Sequence, residues 1–254
     1  MSISGSVQDL APQLINNRYY WLGYGREERM DDDGLTWYRS GVRHGLLNGI
    51  LRVGEDRFDE ALSIAKGFGE LPWVWWVGPD SYRGLADDLR AAGAAEAGVL
   101  PVMAARIDQL VEPPVPVGLS IEKVVSPGRL GEWVAAYAGP MGVPADQEGA
   151  ALLIETDYPD APDHLIRFAG VVEGRVVATS ALLDRGGVAG IYLVAAQEQF
   201  RRRGIGAALT WAAIAEGRRR GLRVATLQAS SMGRPIYERM GFRTVAEYQL
   251  FNRV

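Results

Sequence analysis

Residues 194–209 read Val194-Ala195-Ala196-Gln197-Glu198-Gln199-Phe200-Arg201-Arg202-Arg203-Gly204-Ile205-Gly206-Ala207-Ala208-Leu209. The run follows an apolar stretch, Ala189 to Ala195, that reads as a strand, and it opens a helical pattern from Gly204 to Arg220. Two glycines at spacing two let the backbone turn tightly and let another group approach it. The first amides of a helix have no intrahelical acceptor and sit at the positive end of its dipole, a geometry that binds phosphate. Arg201, Arg202 and Arg203 add positive charge just before those amides. A P-loop needs Lys-Ser/Thr after its second glycine, where Ala207-Ala208 stands. A dinucleotide fingerprint needs a small residue where Leu209 stands and an acidic residue at the end of the next strand, which this chain lacks. What remains is Arg-x-x-Gly-x-Gly, met by Arg201, Gly204 and Gly206. The plainer reading is a helix N-terminus with glycines for tight packing and arginines in water.

Outward from this loop the second half alternates its elements. Ser120 to Val125 reads as a short strand, Arg129 to Tyr137 and Ala145 to Thr156 as helices. His164 to Val172 and Arg175 to Leu183 form a hairpin pattern joined at Glu173-Gly174, a turn pair. Ile205, Leu209, Ala212, Ala213 and Glu216 share helical spacing on a mostly apolar face, and the arginines at 218–220 complement the dipole in the last turn. Arg223 to Gln228 reads as a buried strand, Pro235 to Met240 as a short helix capped by Gly241, and Phe242 to Phe251 as the final strands. This order of strands and helices predicts a mixed α/β sheet, of the α+β kind.

Glu112-Pro113-Pro114-Val115-Pro116-Val117-Gly118 divides the chain, since a run of prolines continues neither a helix nor a central strand. It is expected to be a stiff connector. Residues 1–118 carry 11 basic and 17 acidic residues, and residues 119–254 carry 16 and 14, within a total net charge of −4. In the first half, Thr36–Arg39, Ile50–Val53, Trp73–Val77 and Val99–Ile107, the last interrupted by Pro101, read as strands, and Arg57–Phe68 and Tyr82–Ala92 as helices. Trp73-Val74-Trp75-Trp76-Val77 reads as a core strand, or alternatively as an aromatic wall of a substrate pocket. Strand, short helix, glycine and strand recur at Trp73–Ala94 and at Val224–Phe242, which suggests a duplication.

Composition narrows the chemistry. In 254 residues, 48% are hydrophobic and 23% charged, as in ordinary globular chains. No stretch approaches about 18 uninterrupted apolar residues, so no membrane span is expected. Met1 to Leu10 has neither the basic nor the apolar region of a signal peptide, and a cytoplasmic location is expected. No cysteine is present and the two histidines, His44 and His164, are far apart, which excludes a thiol nucleophile and a multi-histidine metal site. The negative charge and the lack of a basic face argue against nucleic acid.

Downstream of the loop, Leu227-Gln228-Ala229-Ser230-Ser231-Met232-Gly233-Arg234-Pro235-Ile236-Tyr237-Glu238-Arg239-Met240-Gly241-Phe242 leads a strand into a short helix with the pattern Tyr-x-x-x-Gly-Phe. Together with Arg-x-x-Gly-x-Gly, in this order and separated by a helix and a strand, it resembles the GNAT N-acetyltransferase superfamily. The resemblance covers about residues 119–254, with its specific part at 191–242.

That resemblance implies the acyl-CoA acyltransferase fold, with acetyl-CoA as co-substrate, no metal, and a primary amine of a small molecule or protein as acceptor. It implies that Leu193, Val194 and Ala195 pair through their backbone with the pantetheine arm, and that Arg201, Arg202, Arg203, Gly204, Ile205, Gly206 and Ala207 cradle the pyrophosphate. Tyr237 matches the tyrosine that protonates the departing thiolate, and the Val194 N–H would meet the developing oxyanion. Where many members carry an asparagine, this chain has Ser230, beside Ser231; either hydroxyl is a substitute contact or a helix cap. The general base is left open among Glu155, Asp157, Glu173, Asp184 and Glu198, each otherwise a solvated carboxylate, and His164.

The expected division is a degenerate GNAT-like lobe at 1–112, a Pro-rich linker at 113–118 and a catalytic lobe at 119–254, in a monomer or homodimer. Leu89 stands in the first lobe where Tyr237 stands in the second. The alternative function is a non-catalytic acyl-CoA-binding or regulatory module.

Overall fold

The computed structural model describes residues 6–30 and 34–252; the first five residues of the Met1–Leu10 stretch lie outside them. The strands are β1 (Glu27–Met30), β2 (Thr36–Arg39), β3 (Asn48–Arg52), β4 (Val74–Val77), β5 (Glu96–Arg106), β6 (Leu119–Lys123), β7 (Leu165–Val172), β8 (Arg175–Arg185), β9 (Val188–Ala196), β10 (Val224–Gln228) and β11 (Arg243–Phe251). The helices are α1 (Leu10–Leu22), α2 (Phe58–Gly67), α3 (Leu85–Ala91), α4 (Pro127–Met141), α5 (Glu148–Thr156), α6 (Ile205–Arg219) and α7 (Arg234–Met240).

Among the described residues all eleven strands join one mixed sheet, ordered β1-β2-β3-β4-β11-β5-β10-β9-β8-β7-β6. Two adjacent pairs are parallel, β3 with β4 and β9 with β10. The centre is antiparallel and is built by exchange: β11, the last strand of the second half, lies between β4 and β5 of the first. Conversely β5, the last strand of the first half, lies between β11 and β10. About this centre, β3-α2-β4 answers β9-α6-β10, and β4-α3-β5 answers β10-α7-β11. The recurrence at Trp73–Ala94 and Val224–Phe242 thus falls at matching places in the fold.

Side chains alternate across a strand, so each strand feeds two layers. Val74 and Trp76 join the core beneath α1, α4 and α5, together with Tyr248 and Leu183. Trp73 and Trp75 point the other way, into the core beneath α2 and α3. The helices α6 and α7 cover the equivalent core of the second half. The Trp-rich strand is therefore core on both faces.

Several boundaries differ from expectation. Phe242 to Phe251 forms a single strand, bent by an irregularity between Thr244 and Ala246. The helix expected from Ala145 begins as a 3-10 turn, Ala145–Gln147, before α5. Pro101 does not interrupt its strand; β5 runs through it, opposite Glu247. The β7–β8 turn is as expected: Glu173 (φ 49°) and Gly174 (φ 78°) are both left-handed, as a two-residue type I′ hairpin turn requires.

Two elements have no signal in the sequence. The buried face of α1 includes Gln13, Asn16 and Asn17, each fully buried, so hydrophobic periodicity does not reveal it. Asn16 donates to the carbonyls of Leu183 (3.1 Å) and Arg185 (2.7 Å) and accepts from the Tyr192 hydroxyl (2.7 Å). Every residue of β1 is exposed, so it shows no alternation.

Candidate active site

The parallel pair β9–β10 holds only at its start, where Ala225 and Thr226 face Ala189 and Gly190. Beyond Gly190 the strands part, and Ile191–Ala196 leaves its edge toward β10 unpaired by that strand. A bulge sharpens the divergence. Thr179 faces Ala195 and Ala181 faces Tyr192, so Leu193 and Val194 together oppose Ser180. Leu193 is held at φ 45°, a left-handed conformation costly for a branched side chain and typical of functional positions. Two hydroxyls hold the bulge: Thr179 Oγ1 donates to the Leu193 carbonyl (2.7 Å), and Ser180 Oγ to the Leu209 carbonyl of α6 (2.9 Å).

The loop that opens α6 sits at the same place. A 3-10 turn, Glu198–Phe200, leads into Arg201, and Arg202 (φ 58°) and Gly204 (φ 80°) are left-handed. The first amides of α6 follow this turn and have no intrahelical acceptors. A methyl group on Gly206 would lie 3.8 Å from Val194 Cγ1, so loop and bulge are neighbours. The arginines divide their roles. Arg201 Nε donates to the Ala196 carbonyl (3.2 Å) and shapes the loop, whereas Arg202 and Arg203 are exposed, Arg203 over the Phe200 ring. Pro116 of the connector passes beside Gly204, and the Val111 N–H bonds the Met240 carbonyl (3.0 Å), so the connector runs along α7 and the loop.

Tyr237 on α7 is buried against Gly233 and Phe242. Burial pushes its phenol up to about 12, and the neighbouring Thr210 hydroxyl offsets part of this. Thr210 Oγ1 in turn donates to the Gly206 carbonyl (2.8 Å), which links the phenol to the loop. Ser230 and Ser231 are exposed at the start of α7, where Ser230 Oγ accepts from the Gly233 N–H (3.1 Å) and so caps the turn. The Gln228 amide, at the open end of β10, keeps Nε2 buried with no partner among the described residues. Nothing in the sequence marks Gln228.

The candidate bases separate. Asp157, Glu173 and Glu198 are exposed, and Asp184 pairs with Arg220 (3.3 Å). Glu155 is not a solvated carboxylate. It is fully buried, accepts from Arg167 Nε (2.9 Å), and takes the Tyr24 (2.9 Å) and Tyr137 (3.2 Å) hydroxyls on its other oxygen. His164 lies at the start of β7, its carbonyl accepting from the Asp184 N–H (2.9 Å).

Residues 166–254 match the family model of the acetyltransferase (GNAT) domain. Over that stretch, about a third of its length, the chain is similar to a GNAT acetyltransferase domain. The match begins in β7 and contains the split, the loop and α7. The whole fold is also that of GNAT proteins. A GCN5-related N-acetyltransferase from Kribbella flavida superposes with a TM-score of 0.73 at 20% identity, over 96% of this chain and 95% of that one. A GCN5-related N-acetyltransferase-like protein from Streptococcus suis does so at 0.63 and 14%, over 94% and 93%. A tandem GNAT protein from the clavulanic acid biosynthesis pathway gives 0.62 at 13%, over 86% of this chain and 78% of that one. Comparison with curated proteins finds no match. No helix among the described residues is long and apolar enough to cross a membrane.

Proposed function

We propose that the chain is a cytoplasmic acetyl-CoA-dependent N-acetyltransferase that moves the acetyl group directly to a primary amine, with residues 119–254 as the catalytic lobe and 1–112 as a degenerate one. The observation that carries this is the split between β9 and β10, with the bulge at Leu193–Val194 beside the first turn of α6. The opening suits a narrow chain that hydrogen-bonds along a strand edge, and the loop suits the diphosphate at its end. Those are the two parts of a pantetheine nucleotide.

In this reading the free edge of Val194 and Ala195 pairs with the pantetheine amides. The Leu193 carbonyl is already taken by Thr179, so Leu193 contributes through its conformation. The amides from Arg203 to Ala207 hold the pyrophosphate, and exposed Arg202 and Arg203 reach for the adenosine phosphate. Bound acetyl-CoA supplies a thioester. The Val194 N–H meets the negative charge that grows on its oxygen, and the phenol of Tyr237 gives the proton to the leaving sulfur. A phenol with a raised pKa keeps that proton through neutral pH.

Free-thiol release measured with acetyl-CoA and a panel of primary amines, beside acetyl-CoA binding by calorimetry, tests this. Binding with turnover on at least one amine is expected. Binding without thiol release on any amine supports the non-catalytic acyl-CoA-binding module instead, and no binding overturns both.

A further inference from the structure

The first half holds a counterpart of the β9–β10 split. β3 and β4 are also parallel, and they too pair only over a short stretch, where Gly49 faces Val74 and Ile50 faces Trp75. Val53 stands as far past the last paired position of β3 as Leu193 stands past that of β9.

The two openings are finished differently. After β10 the chain turns toward β5 and α7: the Ala229 N–H donates to the Pro101 carbonyl (3.0 Å), and Ser230 caps the turn into the helix. After β4 the chain turns back to the end of β3 instead. The Val53 N–H donates to Ser81 Oγ (3.2 Å), and the Val53 carbonyl accepts from the Tyr82 N–H (2.9 Å). Arg52 Nε donates to the Asp80 carbonyl (2.9 Å), and the Asp80 carboxylate pairs with Arg18 of α1. Residues 80–82 therefore take both backbone groups of Val53, whose side chain is fully buried. In the second half β10 leaves the corresponding stretch of β9 unpaired.

The turn into the helix differs as well. Arg201, Arg202 and Arg203 precede α6, whereas Glu55 and Asp56 precede α2 and Asp59 and Glu60 lie in its first turn. Arg57, between them, is engaged by Glu60 (2.8 Å). Carboxylates at this end complement the helix dipole and repel a diphosphate. The β1–β2 loop also lies against this turn, since a methyl group on Gly34 would come within 3.0 Å of Gly54 Cα. Leu89, at the place of Tyr237, is fully buried and has no proton to give.

We propose that residues 80–82 fill the first half's counterpart of the pantetheine channel, so that each chain binds one acetyl-CoA, between β9 and β10, and none between β3 and β4. This rests on the acetyltransferase reading above. A pantetheine arm entering beside β3 would have to break the two bonds to Val53 and displace a loop fastened to α1. Its diphosphate would then face four carboxylates. The first half serves the reaction through the sheet instead: it supplies β5, the strand on which β10 is held.

Native mass spectrometry and calorimetry with acetyl-CoA read the stoichiometry, and hydrogen exchange reads the place. One acetyl-CoA per chain is expected at saturation. Its binding should slow amide exchange at least tenfold within residues 193–207 and leave residues 51–57 and 80–84 unchanged. Two molecules per chain, or slowed exchange at 51–57 or 80–84, overturns the proposal. If the second molecule appears while 193–207 is protected and amines are acetylated, the acetyltransferase reading stands and only this inference falls. If acetyl-CoA does not bind, both fall.

Discussion

The buried Arg167–Glu155 pair ties β7 to α5, and replacing Arg167 by Met isolates its contribution to the fold. Glu155 is 0% exposed and Arg167 7%. The guanidinium gives the carboxylate its only charged partner among the described residues, through Nε at 2.9 Å and a terminal nitrogen at 2.7 Å. It also donates to the Glu155 backbone carbonyl (2.7 Å) and lies over the Trp133 and Tyr158 rings. Met keeps much of the stem's packing but leaves a buried carboxylate with two tyrosine hydroxyls. Removing one partner of such a pair costs about 3–5 kcal/mol. At about 2–4 °C per kcal/mol for a chain of this size, the melting temperature should fall by about 6–20 °C. The double variant Glu155→Leu/Arg167→Met removes the stranded charge and should recover most of the loss. Calorimetric melts of the three proteins at pH 7.5 measure it. A single variant that melts within about 2 °C of wild type would refute the claim that a buried charge is being compensated. So would a double variant no better than the single one.

Further consequences are open to direct measurement. Tyr237→Phe should lower kcat about 10- to 100-fold with little change in acetyl-CoA affinity, and unchanged turnover removes the assignment. The raised Tyr237 phenol stabilises the fold below about pH 10, and that contribution is lost as the pH rises through about 12. Urea midpoints between pH 10 and 12 should therefore fall more steeply for wild type than for Tyr237→Phe. Glu216 runs the other way: hydrogen bonds from Arg219, then Lys123 and Arg220, outweigh burial and hold its carboxyl down to about 2. Its contribution is present above the ordinary carboxylate pKa of about 4.3 and lost as the pH falls toward 2, so Glu216→Gln should flatten the acid limb of stability. Gly206→Val, whose Cβ would lie at ordinary contact distance from Val194, should weaken acetyl-CoA binding at least tenfold while leaving the melting temperature within about 3 °C. Residues 1–112 and 119–254 produced separately should each lack a cooperative melt, because β5 and β11 each complete the other half's sheet; a cooperative melt in either piece refutes the exchange.

How far the sequence reaches into this molecule depends on where the physical signal lies. The loop at Arg201–Ala207 and the helix of Tyr237 are legible because their chemistry is local: glycines, charges and a phenol at fixed spacing within one strand–helix unit. The Glu173-Gly174 turn is legible for the same reason, since both positions need left-handed backbone. The exchange of β5 and β11 is not local. Either strand would pair as well within its own half, and only the three-dimensional register places Phe251 against Trp75 and Glu96. Helix α1 is hidden because it buries two asparagines and a glutamine, and the carbonyls that Asn16 meets lie some 170 positions away. Glu155 is hidden more completely. An acidic residue in a short helix reads as solvated, and its burial comes from three partners: the Tyr24 and Tyr137 hydroxyls and the Arg167 guanidinium. Each of these comes from a different segment. The loop beside the split is built from one contiguous motif and can be read directly, whereas the surroundings of Glu155 are assembled from both halves and become visible only once the sheet is closed.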